Sequence, residues 1–347
     1  GRLLVVGLQA LQHYLVLADQ GVHKQRHLAA FGLDQHQNAT LRLGDRQGRR
    51  QAGCGQGGVP DDRRRQERPV EAGARVSSYR YVVADVFTDT PLQGNQLAVF
   101  TDARGLDTET MQRLALEIGF SETVFVLPAE HEGHARIRIF TPRYELPFAG
   151  HPTLGTAFVL AAPLQLGVIR LECESGIVPV TLERDESGRI VFGRMEQPVP
   201  TVTAVEDTES LFRLLGVARS ELPVELYDNG SRHIFVALPA EDDVAALTPG
   251  MDALGVFGVT GVSCFAGSGS RWKTRMFSPG DGVGEDAATG GAAGPLACHL
   301  ARHGVIPWGE EIVISQGAEI GRPSTLYARA DGGEGIVSVK DTGVGIA

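Results

Sequence analysis

From Tyr79 onward the apolar and polar positions follow a regular plan, and the plan runs through twice. In the first pass, β-branched and aromatic residues over 81–87 and 96–100 predict two strands joined at a Gly94-Asn95 turn. Met111, Leu114, Ala115 and Ile118 then recur at the helical period between Asp107, suited to cap a helix, and Gly119, suited to end it. Strands are predicted over 123–127, closed by Pro128, and over 135–140. A loop over 145–151 follows, and Pro152, tolerated at a first helical position, opens a helix over 154–161. Strands over 168–174, 177–182 and 190–195 close the pass, separated by Ser175-Gly176 and Ser187-Gly188 turns.

The second pass repeats this order. A helix over 208–215 is stopped by Gly216, a strand over 233–238 ends at Pro239, and a short helix covers 243–247. A strand over 272–277 enters a loop over 285–291, and a helix over 292–302 is stopped by Gly304. Strands over 311–315, 324–330 and 335–339 finish the chain, with Gln316-Gly317 between the first two. The fold class is therefore α+β: two pseudo-symmetric lobes, each a mostly antiparallel sheet wrapped around a central helix. Residues 78–196 form the first lobe and 197–347 the second, with a linker over 197–203 where Pro198 and Pro200 oppose regular pairing.

The duplication includes chemistry. Arg138-Ile139-Phe140-Thr141-Pro142 leads to Glu145 and Gly150-His151, and Arg275-Met276-Phe277-Ser278-Pro279 leads to Glu285 and Gly290-Gly291. Two helix N-termini facing each other across a cleft would bind an anionic small molecule; in a bland duplication the same glycines would only close turns.

Composition narrows the setting. The 347 residues, 42% of them apolar, suit two domains with a sizeable core. No apolar run approaches the ~20 residues of a membrane span, so no membrane partner is expected. Four cysteines (Cys54, Cys173, Cys264 and Cys298) include no close pair, which argues against disulfides or a zinc site and fits a reducing cytoplasm. Residues 1–75 hold 12 Lys/Arg and 7 Asp/Glu, a charge of +5, and the rest holds 20 and 35, a charge of −15. So acidic a body repels phosphate backbones, and nucleic acid is not an expected partner. Residues 1–77 read as a disordered or non-native extension: 3–33 could form a short helix or two, but 44–75 has little to bury. A basic arm for an acidic partner is the alternative reading.

Four segments carry a family resemblance. Gly94-Asn95-Gln96-Leu97-Ala98-Val99, Ser121-Glu122-Thr123-Val124-Phe125-Val126, Glu145-Leu146-Pro147-Phe148-Ala149-Gly150-His151-Pro152 and Gly284-Glu285-Asp286-Ala287-Ala288-Thr289-Gly290 resemble, in the same order, the signature segments of the PhzF-like phenazine-biosynthesis isomerases. The resemblance implies a diaminopimelate-epimerase-like fold, a homodimer, a small carboxylate-bearing metabolite as substrate and no cofactor. It implies Glu122 as the acid/base that moves a proton between carbons, with His151 and Asp286 as polar partners. Gly150, Thr289, Gly290 and Gly291 would bind substrate, the glycine amides holding its carboxylate. Two positions depart from the family pattern, Gly291 for the usual Ser and Gln96 for the commoner Pro.

Two other functions compete. A racemase of the same fold would place one cysteine in each lobe, but those positions are Ala149 and Thr289. A non-catalytic binder could keep the cleft. Other signals are weak: Gly280-Asp281-Gly282-Val283-Gly284 reads as a flexible lip, and His299 and His303, four apart on a helix, lack an evident third ligand and read as a solvated helix end.

Overall fold

The computed structural model describes residues 16–17, 39–44, 76–279, 284–332 and 336–344. The expected helix over 3–33, the polar run over 44–75, Cys54 and the glycine-rich lip at 280–283 fall almost wholly outside the described residues. Two strands are described in the N-terminal segment, Val16–Leu17 and Ala39–Gly44, and Ala39–Gly44 pairs antiparallel with the start of Val76–Val86.

In the first lobe, Val76–Val86 pairs antiparallel with Asn95–Phe100, which the helix Thr108–Ile118 connects to the parallel strand Glu122–Leu127. The helix forms as its pattern predicts: the Asp107 side chain accepts from Thr110 N, Gly119 closes it in the left-handed region, and Met111, Leu114 and Ala115 are buried. Below them, Tyr81, Phe100, Phe125 and Phe140 make a run of stacked and edge-on rings. Ala135–Phe140 continues the sheet antiparallel, pairing at one end with Glu145–Leu146 and at the other, in parallel, with Val168–Cys173. Gly176–Arg184 and Ile190–Gln197 complete it.

The second lobe repeats this pairing strand for strand. Glu225–Asp228, Arg232–Ala237, Gly261–Ser268, Arg271–Phe277, Glu285–Asp286, Glu311–Gln316, Ser324–Gly332 and Ile336–Val344 follow with the same parallel and antiparallel partners. Ile190–Gln197 and Ile336–Val344, the last strand of each lobe, then pair with each other and join the two sheets. Even side-chain detail is duplicated. Arg138 grips Glu145 with two bonds and lies over Phe140, as Arg275 grips Glu285 and lies over Phe277.

The central helices, Gly150–Leu164 and Gly290–Arg302, are apolar on nearly every side and lie in one shared core. Within it Leu154 and Leu296 are almost fully buried, so truncating either to alanine is expected to cost about 2–5 kcal/mol. None of the described helices is long and apolar enough to cross a membrane.

Several boundaries differ from the sequence reading. Both central helices start earlier than predicted, at Gly150 and Gly290, so Pro152 is the third helical residue. It is tolerated there because first-turn amides have no helical acceptor. Thr201–Ala204 is a strand against Glu225–Asp228, which shortens the predicted linker; Pro198 and Pro200 interrupt pairing only up to residue 200. Gly261–Ser268 and Glu225–Asp228 were not predicted, and the helix Thr208–Leu215 precedes the second repeat rather than matching an element of the first.

Candidate active site

The two central helices meet end to end at their N-termini. A Cβ added to Gly150 would lie 2.5 Å from Gly291 N and 2.6 Å from Gly290 C, so only glycine lets the two backbones approach this closely. The amides of Gly150, His151, Gly290 and Gly291 point no hydrogen bond at any described protein acceptor. The second helix is braced from behind. Pro295 has no N–H to offer the Gly291 carbonyl, and Asn229 Nδ2 donates to it instead at 3.0 Å, while Gln197 Nε2 donates to the Gly290 carbonyl at 2.7 Å.

Glu122, first residue of its strand, puts Oε2 3.0 Å from His151 Nδ1. On the other side of the ring, Nε2 faces the Gln96 carbonyl at 3.2 Å; a carbonyl only accepts, so Nε2 carries a proton. Nδ1, on the opposite side of the ring, is the nitrogen that faces the Glu122 carboxyl group. Burial opposes the charge on His151, but Glu122, Asp286 and the Gln96 carbonyl outweigh it, and its pKa is raised.

Asp286 approaches from the other lobe. Its Oδ1 accepts from Asn95 Nδ2 at 2.8 Å and its Oδ2 from Thr289 Oγ1 at 2.8 Å. Burial and then the charge of Glu122 push its carboxyl up to about 7, against the pull of His151 and these two bonds. Asn95 is one link between lobes: it also donates to the Ala288 carbonyl and accepts from Ser121 Oγ. Its position depends on Gly94, where a Cβ would lie 2.3 Å from the Val86 carbonyl, and on Arg322, which donates to the carbonyls of Leu92, Gln93 and Gly94.

A cleft lies between the lobes where the two helix N-termini meet. Glu122, His151, Asp286, Gly150, Thr289, Gly290 and Gly291, the residues singled out from sequence, all line it. Its second-lobe wall adds Ser231, Thr260, Ser278 and His233. Burial lowers the His233 pKa to about 4, despite Asp228 and Glu122, so that ring is neutral at neutral pH. Helix-end amides can hold an anion, and a half-buried Glu122 and buried Asp286 beside a histidine can exchange a proton with it.

The family model described as phenazine biosynthesis-like protein, PhzC-PhzF, matches residues 84–346. The chain belongs to the PhzC-PhzF family. It is 52% identical over 270 residues, 78% of this chain and 97% of the relative, to the trans-2,3-dihydro-3-hydroxyanthranilate isomerase of Pseudomonas aeruginosa. Relatives at about half identity are named isomerases, and this chain is an isomerase. Among solved structures, the Bacillus anthracis PhzF-family protein matches with a TM-score of 0.66 and 26% identity, over 76% of this chain and 95% of that one. A hydroxyproline epimerase from Agrobacterium vitis shares the fold at a TM-score of 0.53 and 14% identity, covering 78% of this chain and 91% of its own.

Ala149 and Thr289, where the sequence reading expects the cysteines of a two-thiol racemase, are the N-caps of the two central helices, and Cys264 and Cys298 are buried and do not line the cleft. The sequence does not mark Asn95, Ser231 or His233 as site residues. Asn95 lies within a family-like segment, whereas Ser231 and His233 carry no signal beyond a strand start. The reading of His299 and His303 as a solvated helix end is corrected. His299 is fully buried, and Glu225 supplies the third group, with Oε2 3.3 Å from His299 Nδ1 and 3.0 Å from His303 Nε2. Arg302 Nη1 sits 2.8 Å from the same oxygen, so this carboxylate already has a cation.

Proposed function

We propose that the chain isomerises trans-2,3-dihydro-3-hydroxyanthranilate, or a closely similar cyclic carboxylate, by moving one proton between two carbons of the ring system. The substrate follows from the name of the Pseudomonas aeruginosa relative. The observation that carries the mechanism is the Glu122–His151 contact at 3.0 Å, set in a cleft where two helix N-termini converge. The amides of Gly150, Gly290 and Gly291 hold the substrate carboxylate, with Thr289 beside them. Glu122 takes a proton from the carbon activated by the unsaturated system and returns it at the other end of that system. His151 balances the carboxylate charge while the proton is away, and Asp286 orients an amine or hydroxyl of the substrate. The step is redox-neutral, since one C–H bond breaks and another forms, and it requires no cofactor. By the same resemblance the working unit is a homodimer.

The test is direct. The purified chain, with no cofactor added, is incubated with trans-2,3-dihydro-3-hydroxyanthranilate in deuterated water. Isomerised product carrying carbon-bound deuterium supports the reading. Unchanged, unlabelled substrate refutes it and favours a protein that only binds.

A further inference from the structure

The two lobes are not chemically equivalent at the cleft, and strand register shows where they differ. Leu97 lies opposite Glu122 in the first lobe, and His233 lies opposite Gly261 in the second, so Asn95 corresponds to Ser231 and Leu97 to His233. At the corresponding helix starts His151 corresponds to Gly291. The first gate thus has an imidazole on its helix, whereas the second has a bare backbone with a serine and a histidine brought to it by a strand.

Their hydrogen bonding is determined. Asn229 Nδ2 donates to the Gly291 carbonyl and to Gln197 Oε1, which turns Asn229 Oδ1 towards Ser231. Ser231 Oγ lies 3.2 Å from that oxygen and 3.0 Å from His233 Nε2. Both contacts hold together only if Nε2–H donates to Oγ and the hydroxyl donates onward to Asn229. Asn229 Oδ1 also accepts the Ser231 amide, so the hydroxyl can turn to a ligand without orphaning it. A Cβ on Gly291 would lie 3.0 Å from Ser231 Oγ, 3.6 Å from His233 Nε2 and 3.7 Å from Gly150 N. Glycine at 291 therefore leaves room for the hydroxyl, and the hydroxyl and the Gly150 amide converge on that spot.

Resting on the function proposed above, we propose that Ser231 is the side-chain donor to the substrate carboxylate at the second gate, with His233 as the positioning residue that aims its hydroxyl. The pocket so formed takes a carboxylate on a small ring: backbone amides from both helices on one side, a neutral hydroxyl on the other.

Two probes test this by binding alone. The first, 3-hydroxyanthranilate, is aromatic and has no proton to move; the second is its carboxamide. Titration of the folded full chain should show Ser231→Ala weakening the carboxylate probe by about ten-fold or more, as expected for one hydrogen bond to a charged group. The loss for the carboxamide should be under half as large. His233→Leu, the residue of the equivalent first-lobe position, should reproduce the loss, and His233→Gln, which keeps a donor near Nε2, should restore most of it. Equal losses for both probes, or Ser231→Ala binding like the wild type, overturn the proposal while leaving the proposed function standing. Failure of the wild type to bind either probe overturns both.

Discussion

Replacing Gly150 by alanine puts a single methyl group between the two helix N-termini. The added carbon would sit 2.5 Å from Gly291 N and 2.6 Å from Gly290 C, where ordinary contact begins at 3.4 Å, so the gates must part by about 0.9 Å. Neither neighbour is the loose end of a side chain; both are backbone, braced by Asn229 and Gln197. Overpacking of this kind is expected to cost about 1–3 kcal/mol of stability. The larger effect is on chemistry, because a misplacement near 1 Å can lower the rate by about 10²-fold. The control is Gly193→Ala, whose Cβ would press on Phe158 Cε2 at 2.5 Å and Leu154 Cδ1 at 2.9 Å, both core side chains of the first lobe that do not line the cleft. Measured together, thermal unfolding should fall in both variants, whereas kcat/KM for isomerisation should fall about 10²-fold only in Gly150→Ala. Should the two variants lose activity in step with stability, or should Gly150→Ala keep wild-type kcat/KM, the gate contact has no functional weight.

Further outcomes follow from the same geometry. His151→Ala removes the group that balances Glu122, and a loss of ~10²–10⁴-fold in kcat is expected from steady-state kinetics. Asn95→Ala leaves Asp286 and the Ala288 carbonyl without a shared donor, and denaturant unfolding should show a loss of about 1–3 kcal/mol together with reduced activity. Asp286 supplies a pH signature. Its folded pKa, raised to about 7, exceeds the ordinary carboxylate value, so the folded chain keeps a proton that the unfolded chain has lost. That share of stability is fully present below about pH 4 and is lost as pH rises towards 7. Melting temperatures of Asp286→Asn should decline less than those of the wild type across this window; parallel curves would contradict the assignment.

Much of this architecture is visible in the pattern of residues, and the exceptions have physical causes. Helix 108–118 announces itself through Asp107, Gly119 and one apolar stripe, because a half-exposed helix must display its period. Gly261–Ser268 displays none: its first six residues are buried, so no polar face alternates with an apolar one. Thr201–Ala204 is hidden for the opposite reason, being mostly exposed and preceded by two prolines. The early starts of the central helices fall on Gly150 and Gly290, residues whose helix propensity is low, so no local signal reports them. The same holds at the site. Glu122, His151 and Asp286 lie in recognisable segments, but the Asn95 bridge joins residues 191 positions apart. His233 looks like any strand residue until Gly291 is placed beside it.

In the proposed reaction a single carboxylate, Glu122, both takes and returns the proton. Deuterium uptake at carbon from heavy water, followed for trans-2,3-dihydro-3-hydroxyanthranilate with wild-type chain and Glu122→Gln side by side, tests it most directly. Glu122→Gln should keep the wild-type unfolding curve and lose uptake by several orders of magnitude, at or beyond the ~10²–10⁴-fold scale of one acid–base group. Uptake near the wild-type rate in that folded variant would mean that a group other than Glu122 moves the proton.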